Sequence, residues 1–273
     1  MPKLIVDKDA CTLCGLCAAD CPGGIISVSG NSLPAYIPDG EKRCIICGHC
    51  QAVCPTDAIK VEDPRLDGRT LGIQKSLLGM ELAEEYFRSR RSVRQYKREP
   101  VEKEVVLRLM ETVRYAPSAM NAHPLHWLII LDPAEVRRLT DLVVDWMEAS
   151  AKTPSPLNDY FNFSELAGKY RNGRDPVLRG APHLVVVHAR KDIPSAHNDA
   201  FISLSHLDLL APSFGLGTCW AGVFQIAAMN WKPLEEALNL PEGHKPIYAM
   251  MLGKPAVKYA RAPKRPAGRI TWR

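Results

Sequence analysis

Nine cysteines stand at positions 11, 14, 17, 21, 44, 47, 50, 54 and 219, and eight of them fall within the first 54 residues. Cys11, Cys14, Cys17 and Cys21 are spaced C-x2-C-x2-C-x3-C and are followed by Pro22. Cys44, Cys47, Cys50 and Cys54, followed by Pro55, repeat the spacing. Three thiolates two residues apart can wrap three irons of one iron–sulphur cube, while the fourth turns away to ligate a second cube. The spacing therefore predicts one 4Fe–4S cluster on Cys11, Cys14, Cys17 and Cys54, and another on Cys44, Cys47, Cys50 and Cys21. Two zinc sites are the competing reading, but they would leave the third cysteine of each run surplus. An oxidised secreted scaffold would spread its cysteines more evenly. His49, between Gly48 and Cys50, reads as a partly exposed neighbour of the second cluster, not a ligand.

This segment resembles the bacterial two-cluster ferredoxins over about 60 residues, with all eight ligands in place. Gly15 and Gly48 are expected to let the backbone fold close around each cube. Each repeat runs on into a short apolar stretch, Ile25–Val28 and Ala58–Val61, so residues 1–63 are read as one internally duplicated unit.

A second kind of chemistry is suggested by two basic clusters. Arg90, Arg91 and Arg94 flank Ser92 and Val93, and Lys254, Lys258, Arg261, Lys264 and Arg265 lie near the end of the chain. Arginine offers the fork of donors that a phosphate dianion needs, and a shared anion would reconcile two clusters that otherwise repel. The strings Arg90–Tyr96, Ala116–Pro124, Gly215–Gly222 and Lys264–Pro266 together resemble, in order, the motifs of the FMN-dependent nitroreductases, over roughly residues 80–273. The resemblance implies an FMN-dependent oxidoreductase. It also implies an α+β sandwich with a central, mostly antiparallel sheet flanked by helices, working as a homodimer. Arg90, Arg91, Ser92 and Arg94 would hold the ribityl chain, phosphate and pyrimidine edge, and Lys264 and Arg265 would close on the phosphate. Pro117, Ser118, Ala119 and Asn121 would reach the flavin of the partner subunit. Ala221 and Gly222 would offer backbone amides near the redox-active edge, with Gly222 and His123 as the catalytic candidates.

Two departures from the family pattern stand out. His123 occupies a place commonly held by glutamine, and Leu125 one commonly held by an aromatic residue. His123 is either a proton donor near neutral pH or a plain pocket wall. Cys219 reads as a small packed residue and His206 as a core histidine. Tyr160, Phe161 and Phe163 read either as a lid over a planar substrate or as loop anchors.

The elements that must position these residues follow from periodicity. Residues 64–75, with Pro64, Gly68 and Gly72, form a linker to a domain over 76–273 that opens on a helix from Ser76 to Phe87. Further helices are predicted over Val101–Val113, Asp132–Met147, Asn198–Phe214 and near Pro233–Asn239. Strands are predicted over His126–Leu131, Leu184–Val187, Thr218–Phe224 and Ile247–Leu252. Residues 148–180 show little periodicity and are expected to form a long irregular loop.

Composition limits what else the chain can be. It has 273 residues, 46% hydrophobic and 24% charged, and a formal net charge of +5. Residues 1–63 hold five Lys/Arg against eight Asp/Glu, a net of −3, so the remainder carries +8. The basic residues cluster in two short segments that suit a small phosphate better than nucleic acid. No helix-turn-helix pattern supports a DNA-binding role. No apolar run spans a bilayer, and the N-terminal stretch has no signal-peptide apolar region, so a cytoplasmic protein is expected. No G-x-G-x-x-G fingerprint follows a strand, which leaves ferredoxin and NAD(P)H both open as electron donor. The expected activity passes electrons from the clusters to FMN and on to a small planar electrophile such as a nitroaromatic, quinone or enone. An electron relay to a protein partner is the alternative. Flavin-fragmenting and dehalogenating relatives share the implied fold.

Overall fold

The computed structural model describes residues 1–66, 72–73 and 78–273. It divides into two units, Met1–Leu77 with Met120–Ala122, and Leu78–Ala119 with His123–Arg273. Most of the linker expected at 64–75, and the predicted start of the following helix at Ser76, lie outside the described residues.

The first unit is built from short pieces. β1 (Lys3–Val6) is followed by α1 (Leu16–Ala19), β2 (Ile26–Ser27), β3 (Ala35–Tyr36), α2 (Gly40–Arg43), α3 (His49–Ala52) and β4 (Ile59–Glu62). β1 pairs antiparallel with β4, Lys3 opposite Glu62 and Val6 opposite Ile59, and β2 pairs antiparallel with β3. β4 alternates as a half-buried strand should, Ile59 and Val61 inward and Lys60 and Glu62 outward. The duplication is visible in the helices, since α1 and α3 are single turns, each capped by a glycine in the left-handed region. Gly15 has φ 74° and Gly48 φ 72°, and a Cβ on either would meet nothing within 4 Å. The left-handed backbone is by itself enough to favour glycine at these two places.

The second unit runs through α4 (Met80–Ser89), α5 (Lys103–Val113), a 3-10 turn (Ala119–Asn121), β5 (His126–Ile130), α6 (Pro133–Ser150), α7 (Pro156–Phe161) and α8 (Phe163–Arg171). It continues with β6 (His183–Arg190), α9 (Ala196–Leu210), a 3-10 turn (Ala211–Phe214), β7 (Gly217–Trp220), α10 (Gly222–Asn230), α11 (Lys232–Ala237) and β8 (His244–Gly253). Four strands form one sheet in the order β5-β6-β8-β7, and every neighbouring pair is antiparallel. The chain is thus α+β, a central antiparallel sheet with helices on both faces. Leu184 and Val186 of β6 enter a core shared with α6, α8, α10 and α11. Val185 and Val187 enter a second core shared with α5 and α9. Successive side chains point to opposite faces, so a central strand covered on both sides reads as an unbroken apolar run. Each such fully buried valine contributes about 1.5–3 kcal/mol relative to exposure.

Several expectations are corrected. The strand predicted over Thr218–Phe224 stops at Trp220. Gly222 opens α10, and Phe224 is a fully buried helical residue. The supposed irregular loop at 148–180 holds the end of α6 and two capped helices. Ser155 accepts from the Asn158 amide with Pro156 in the first turn, and Asn162 accepts from the Glu165 amide; both are ordinary start signals. Phe163 is 1% exposed and packs edge-on against Trp146, so it is a core anchor and no lid. Tyr160 alone of that trio is fully exposed. His206 lies on the solvent side of α9, where its Nδ1 donates to the Ile202 carbonyl, and is not a core histidine.

Candidate functional site: two cysteine cavities and a buried arginine clamp

In the first unit, two cavities are each bordered by four cysteines. One has Cys21, Cys44, Cys47 and Cys50 in its wall, the other Cys11, Cys14, Cys17 and Cys54. These are the two cross-paired sets that the spacing predicts. None of the eight is in a disulfide. Burial pushes the Cys50 thiol up to about 11 and raises that of Cys17 as well. Such thiols ionise readily only beside a cation, as metal ligation provides. Burial also raises Cys54, but the amides of Thr56 and Ala58 outweigh it and leave the thiol lowered. The Ala58 amide donates to Cys54 Sγ at 3.3 Å, the kind of donor that stabilises a cluster sulphur. His49 is exposed and pairs through Nδ1 with Asp20 Oδ2 at 3.1 Å, outside the cysteine sets, as a neighbour should.

In the second unit, the first motif is held between β7 and the chain that follows β8. The Val93 amide donates to the Thr218 carbonyl, the Lys97 amide to Lys254, and the Ala256 amide to Gln95. Gly217 admits this approach: a Cβ there would stand 2.4 Å from Val93 Cγ2. The segment carrying Arg90, Ser92 and Arg94 is thus fixed against the Gly215–Gly222 motif. Cys219 is buried there, its thiol raised by burial and partly offset by the Arg94 guanidinium, in keeping with a packed small residue.

The residue that organises this corner is Asp208, which the sequence reading passed over. It lies on α9 and is only 5% exposed. Its Oδ2 accepts from Arg90 Nη1 at 3.2 Å and from Trp220 Nε1 at 3.3 Å. Its other oxygen accepts from the Thr218 hydroxyl. A carboxylate with three protein donors can be buried because its charge is matched. It holds one arm of the Arg90 fork and leaves the other donors of the guanidinium for an anion. The one sequence signal was an acid inside the apolar stripe of α9, between Leu204 and Ala211.

The other candidates are placed as follows. The Ala221 amide donates to the Ala249 carbonyl at 2.9 Å, so it is spent on the sheet and is no flavin donor. Gly222, the first residue of α10, has one of the amides that a helix leaves without an internal acceptor. Ser118 Oγ accepts from the His123 amide at 3.0 Å, and the Ala119 amide donates to buried Asp199. Met120, Asn121 and His123 all have φ between 44° and 53°, uncommon for residues with side chains. Such strain gathers at functional loops. Asn121 belongs to the first unit, where its side-chain amide donates to the carbonyls of Ile45 and Ile46. Pro117 is exposed beside it in sequence. Arg91 is turned back on the carbonyls of Ser89 and Arg88. Lys264 and Arg265 are exposed in the tail. The tail reaches the first motif through Tyr259, whose hydroxyl donates to the Ser92 carbonyl at 3.5 Å. Among the described residues no helix is long and apolar enough to cross a membrane.

A fold of this kind, with a cysteine-rich module ahead of it, defines a recognisable class of oxidoreductase. The nitroreductase family profile matches residues 87–254 and a 4Fe-4S dicluster domain profile matches residues 10–59. The chain belongs to the nitroreductase family. It is 27% identical over 190 residues to "FMN reductase [NAD(P)H]" of Bacillus subtilis, covering 64% of this chain and 67% of that one. It is 26% identical over 166 residues to "Iodotyrosine deiodinase" of Thermotoga neapolitana, covering 59% and 82%. A nitroreductase from Bacteroides fragilis, solved with bound FMN, superposes with a TM-score of 0.58 over 69% of this chain and 97% of that one, at 22% identity, which speaks for the fold.

Proposed function

We propose that this protein is an iron–sulphur flavoprotein reductase. It carries two 4Fe–4S clusters and one FMN per chain, and it delivers electrons to a small planar electrophile of the nitroaromatic, quinone or enone class. The observation that carries this reading is the presence, on one chain, of two four-cysteine cavities and an arginine held open by a buried aspartate in a nitroreductase fold. FMN supplies the two-electron chemistry, and the clusters supply single electrons to it. The chain's own residues bind, orient and exclude water. Asp208 fixes Arg90, which together with Ser92 and Arg94 meets the phosphate and the pyrimidine edge. Lys264 and Arg265, on the tail, fold over the phosphate. The Gly222 amide is aimed at the edge where charge develops. Pro117, Ser118 and Ala119 present backbone and hydroxyl to the flavin of the partner subunit. His123 lines the substrate side.

A homodimer is supported by the apolar residues that α4 leaves in water: Met80, Leu82 and Phe87 are all more than half exposed. Large apolar side chains left exposed, as Met80 and Phe87 are two turns apart on one helix face, suit an interface, and a second copy of the chain is the natural cover. NAD(P)H or a ferredoxin is the electron donor.

The test is rapid mixing of anaerobic protein with reduced ferredoxin or NAD(P)H, following the cluster and flavin bands separately. Wild type should show cluster reduction followed by flavin reduction. The Cys14→Ser/Cys47→Ser variant should lose ferredoxin-driven turnover of a quinone but keep turnover with a chemical reductant that meets the flavin directly. Equal ferredoxin-driven rates in the two proteins would refute the route.

A further inference from the structure

Three histidines meet on the second unit's sheet, with no place in the reading above. His126 is the first residue of β5, His188 lies near the end of β6, and His244 is the first residue of β8. β6 is the middle of these three strands. His126 stands directly opposite His188. On the other side His188 faces Pro246, which puts His244 two residues further along the same face. A register shift between Val187 and His188 re-aims the end of β6 at this point. His188 is 5% exposed, His244 half-buried and His126 exposed, so the trio forms a shallow cup with a buried floor.

The spacing is that of metal ligands. His188 Nδ1 and His244 Nδ1 are 2.9 Å apart and share a hydrogen bond, which an ion would replace. The three ring centres are 4.7, 5.1 and 5.5 Å apart. A zinc–nitrogen bond is about 2.0–2.1 Å, and the nitrogen is about 1.2 Å from its ring centre, so each centre stands about 3.2 Å from the ion. Tetrahedral ligation then sets ring centres about 5.2 Å apart and right-angled ligation about 4.5 Å. The same angles set paired nitrogens about 3.3 or about 2.9 Å apart. The observed separations cluster about these figures. Stacking alone does not require three imidazoles to be mutual neighbours. As the side chains stand, no group of three or more His, Cys, Asp or Glu among the described residues is placed to hold a metal ion, so the site requires a ring to turn, and His126 is the exposed one of the three. Arg190 and Asp192, salt-bridged at 2.7 Å, both act on His244, the arginine more strongly than the aspartate.

From this geometry we propose that His126, His188 and His244 form a binding site for a divalent transition metal of the zinc type, separate from the cysteine sets. Imidazole suits zinc, nickel and copper. Three protein nitrogens leave a fourth position for water or an outside ligand.

The test uses the full chain, purified anaerobically and equilibrated with Zn2+ at pH 7.5. Bound zinc is counted by mass spectrometry, and its ligand shell is read by X-ray absorption at the zinc edge, which iron does not obscure. Wild type should hold one zinc per chain in a nitrogen and oxygen shell at about 2.0–2.1 Å. His126→Ala and His244→Ala, both at strand starts away from the buried floor, should each raise the Zn2+ dissociation constant at least about tenfold, with iron content and circular dichroism unchanged. Should either alanine variant fold poorly, His126→Gln keeps the side-chain volume and should show the same loss. Zinc held only through sulphur at about 2.3 Å, or dissociation constants within twofold of wild type in the folded variants, would overturn the proposal.

Discussion

Replacing Asp208 by asparagine is the sharpest probe of the arginine clamp. The carboxylate accepts three bonds, from Arg90, Trp220 and Thr218, and only 5% of the residue is exposed. Asparagine keeps one acceptor oxygen and turns an N–H group toward donors that have nowhere else to go. The charge-assisted bond to Arg90 is worth about 1.5–3 kcal/mol, and a stranded buried donor costs about 1–3 kcal/mol. The Arg90 side chain is 30% exposed, so the low end of the first range applies. The variant should therefore lose about 2.5–4.5 kcal/mol of stability. FMN affinity should fall separately, because Arg90 no longer has one arm fixed. Loss of about 1.4 kcal/mol of pre-organisation corresponds to about tenfold in Kd. Urea unfolding gives the first quantity, and quenching of FMN fluorescence on titration with apoprotein gives the second. Thr218→Val is the control, since it removes one donor and leaves the Arg90 contact. If Asp208→Asn binds FMN within twofold of wild type while losing stability, Asp208 is purely structural and the clamp reasoning fails.

Other outcomes follow from the same geometry. Gly217→Ala places a Cβ 2.4 Å from Val93 and 3.1 Å from Pro255. It should push the first motif off β7, costing about 1–3 kcal/mol, with FMN lost on gel filtration; a variant that keeps both flavin and stability would contradict this packing. Cys54→Ser should damage the cluster bordered by Cys11, Cys14 and Cys17 and spare the one bordered by its sequence neighbours, as separate electron paramagnetic resonance signals would report; loss of the neighbouring cluster alone would reverse the pairing. His183 is fully buried, accepting the Val101 amide at Nε2 (2.7 Å) and donating from Nδ1 to the Leu131 carbonyl (2.9 Å). Burial lowers its pKa from the usual 6.5, because protonation would set two N–H groups face to face. The unfolded chain then binds the extra proton first, so this stabilisation is complete above pH 6.5 and is lost as the pH falls below it. Stability should fall with falling pH in this range, with a slope of at most about 1.4 kcal/mol per pH unit from one such group, and a folded His183→Gln variant with an unchanged slope between pH 7.5 and 5 would argue against His183 as the source.

What could be read from the chain and what could not divide along physical lines. The two groups of four cysteines that border the cavities were legible because their spacing is local, and their crossing between repeats follows from the direction of the fourth thiol. Leu184–Val187 was legible as a buried strand because both faces of β6 are covered. Asp208 was not, because Arg90 stands 118 residues away and Thr218 and Trp220 reach it only through the turn from α9 into β7, and no periodicity announces such a meeting. The Ala221 amide looked available because the sequence does not show which carbonyl of β8 lies opposite it. The helices α7 and α8 were missed although Ser155-Pro156 and Asn162 are plain start signals; their short length hid the apolar stripe. Phe163 looked like a lid residue only because that loop reading left it no core to enter. The histidine trio was invisible for the same reason as Asp208, since its members are 62 and 56 positions apart.

The pairing of β1 with β4 has a consequence in time. Residues 3–6 leave the ribosome before their partners at 59–62, which follow only after roughly fifty more residues. At about 5–20 residues per second that gap lasts about 3–10 s. Cys11, Cys14 and Cys17 emerge early in this interval, while Cys54, which borders the same cavity, arrives near its end. Through those seconds Cys11, Cys14 and Cys17 stand without Cys54, the fourth cysteine of their cavity, with the neighbouring Cys21 belonging to the other set, and all are open to stray metals and to oxidants. Delivery of iron and sulphide is therefore best timed to the closing of the β1–β4 ribbon, and a ribosome that pauses before residue 59 would expose an incomplete ligand set for longer.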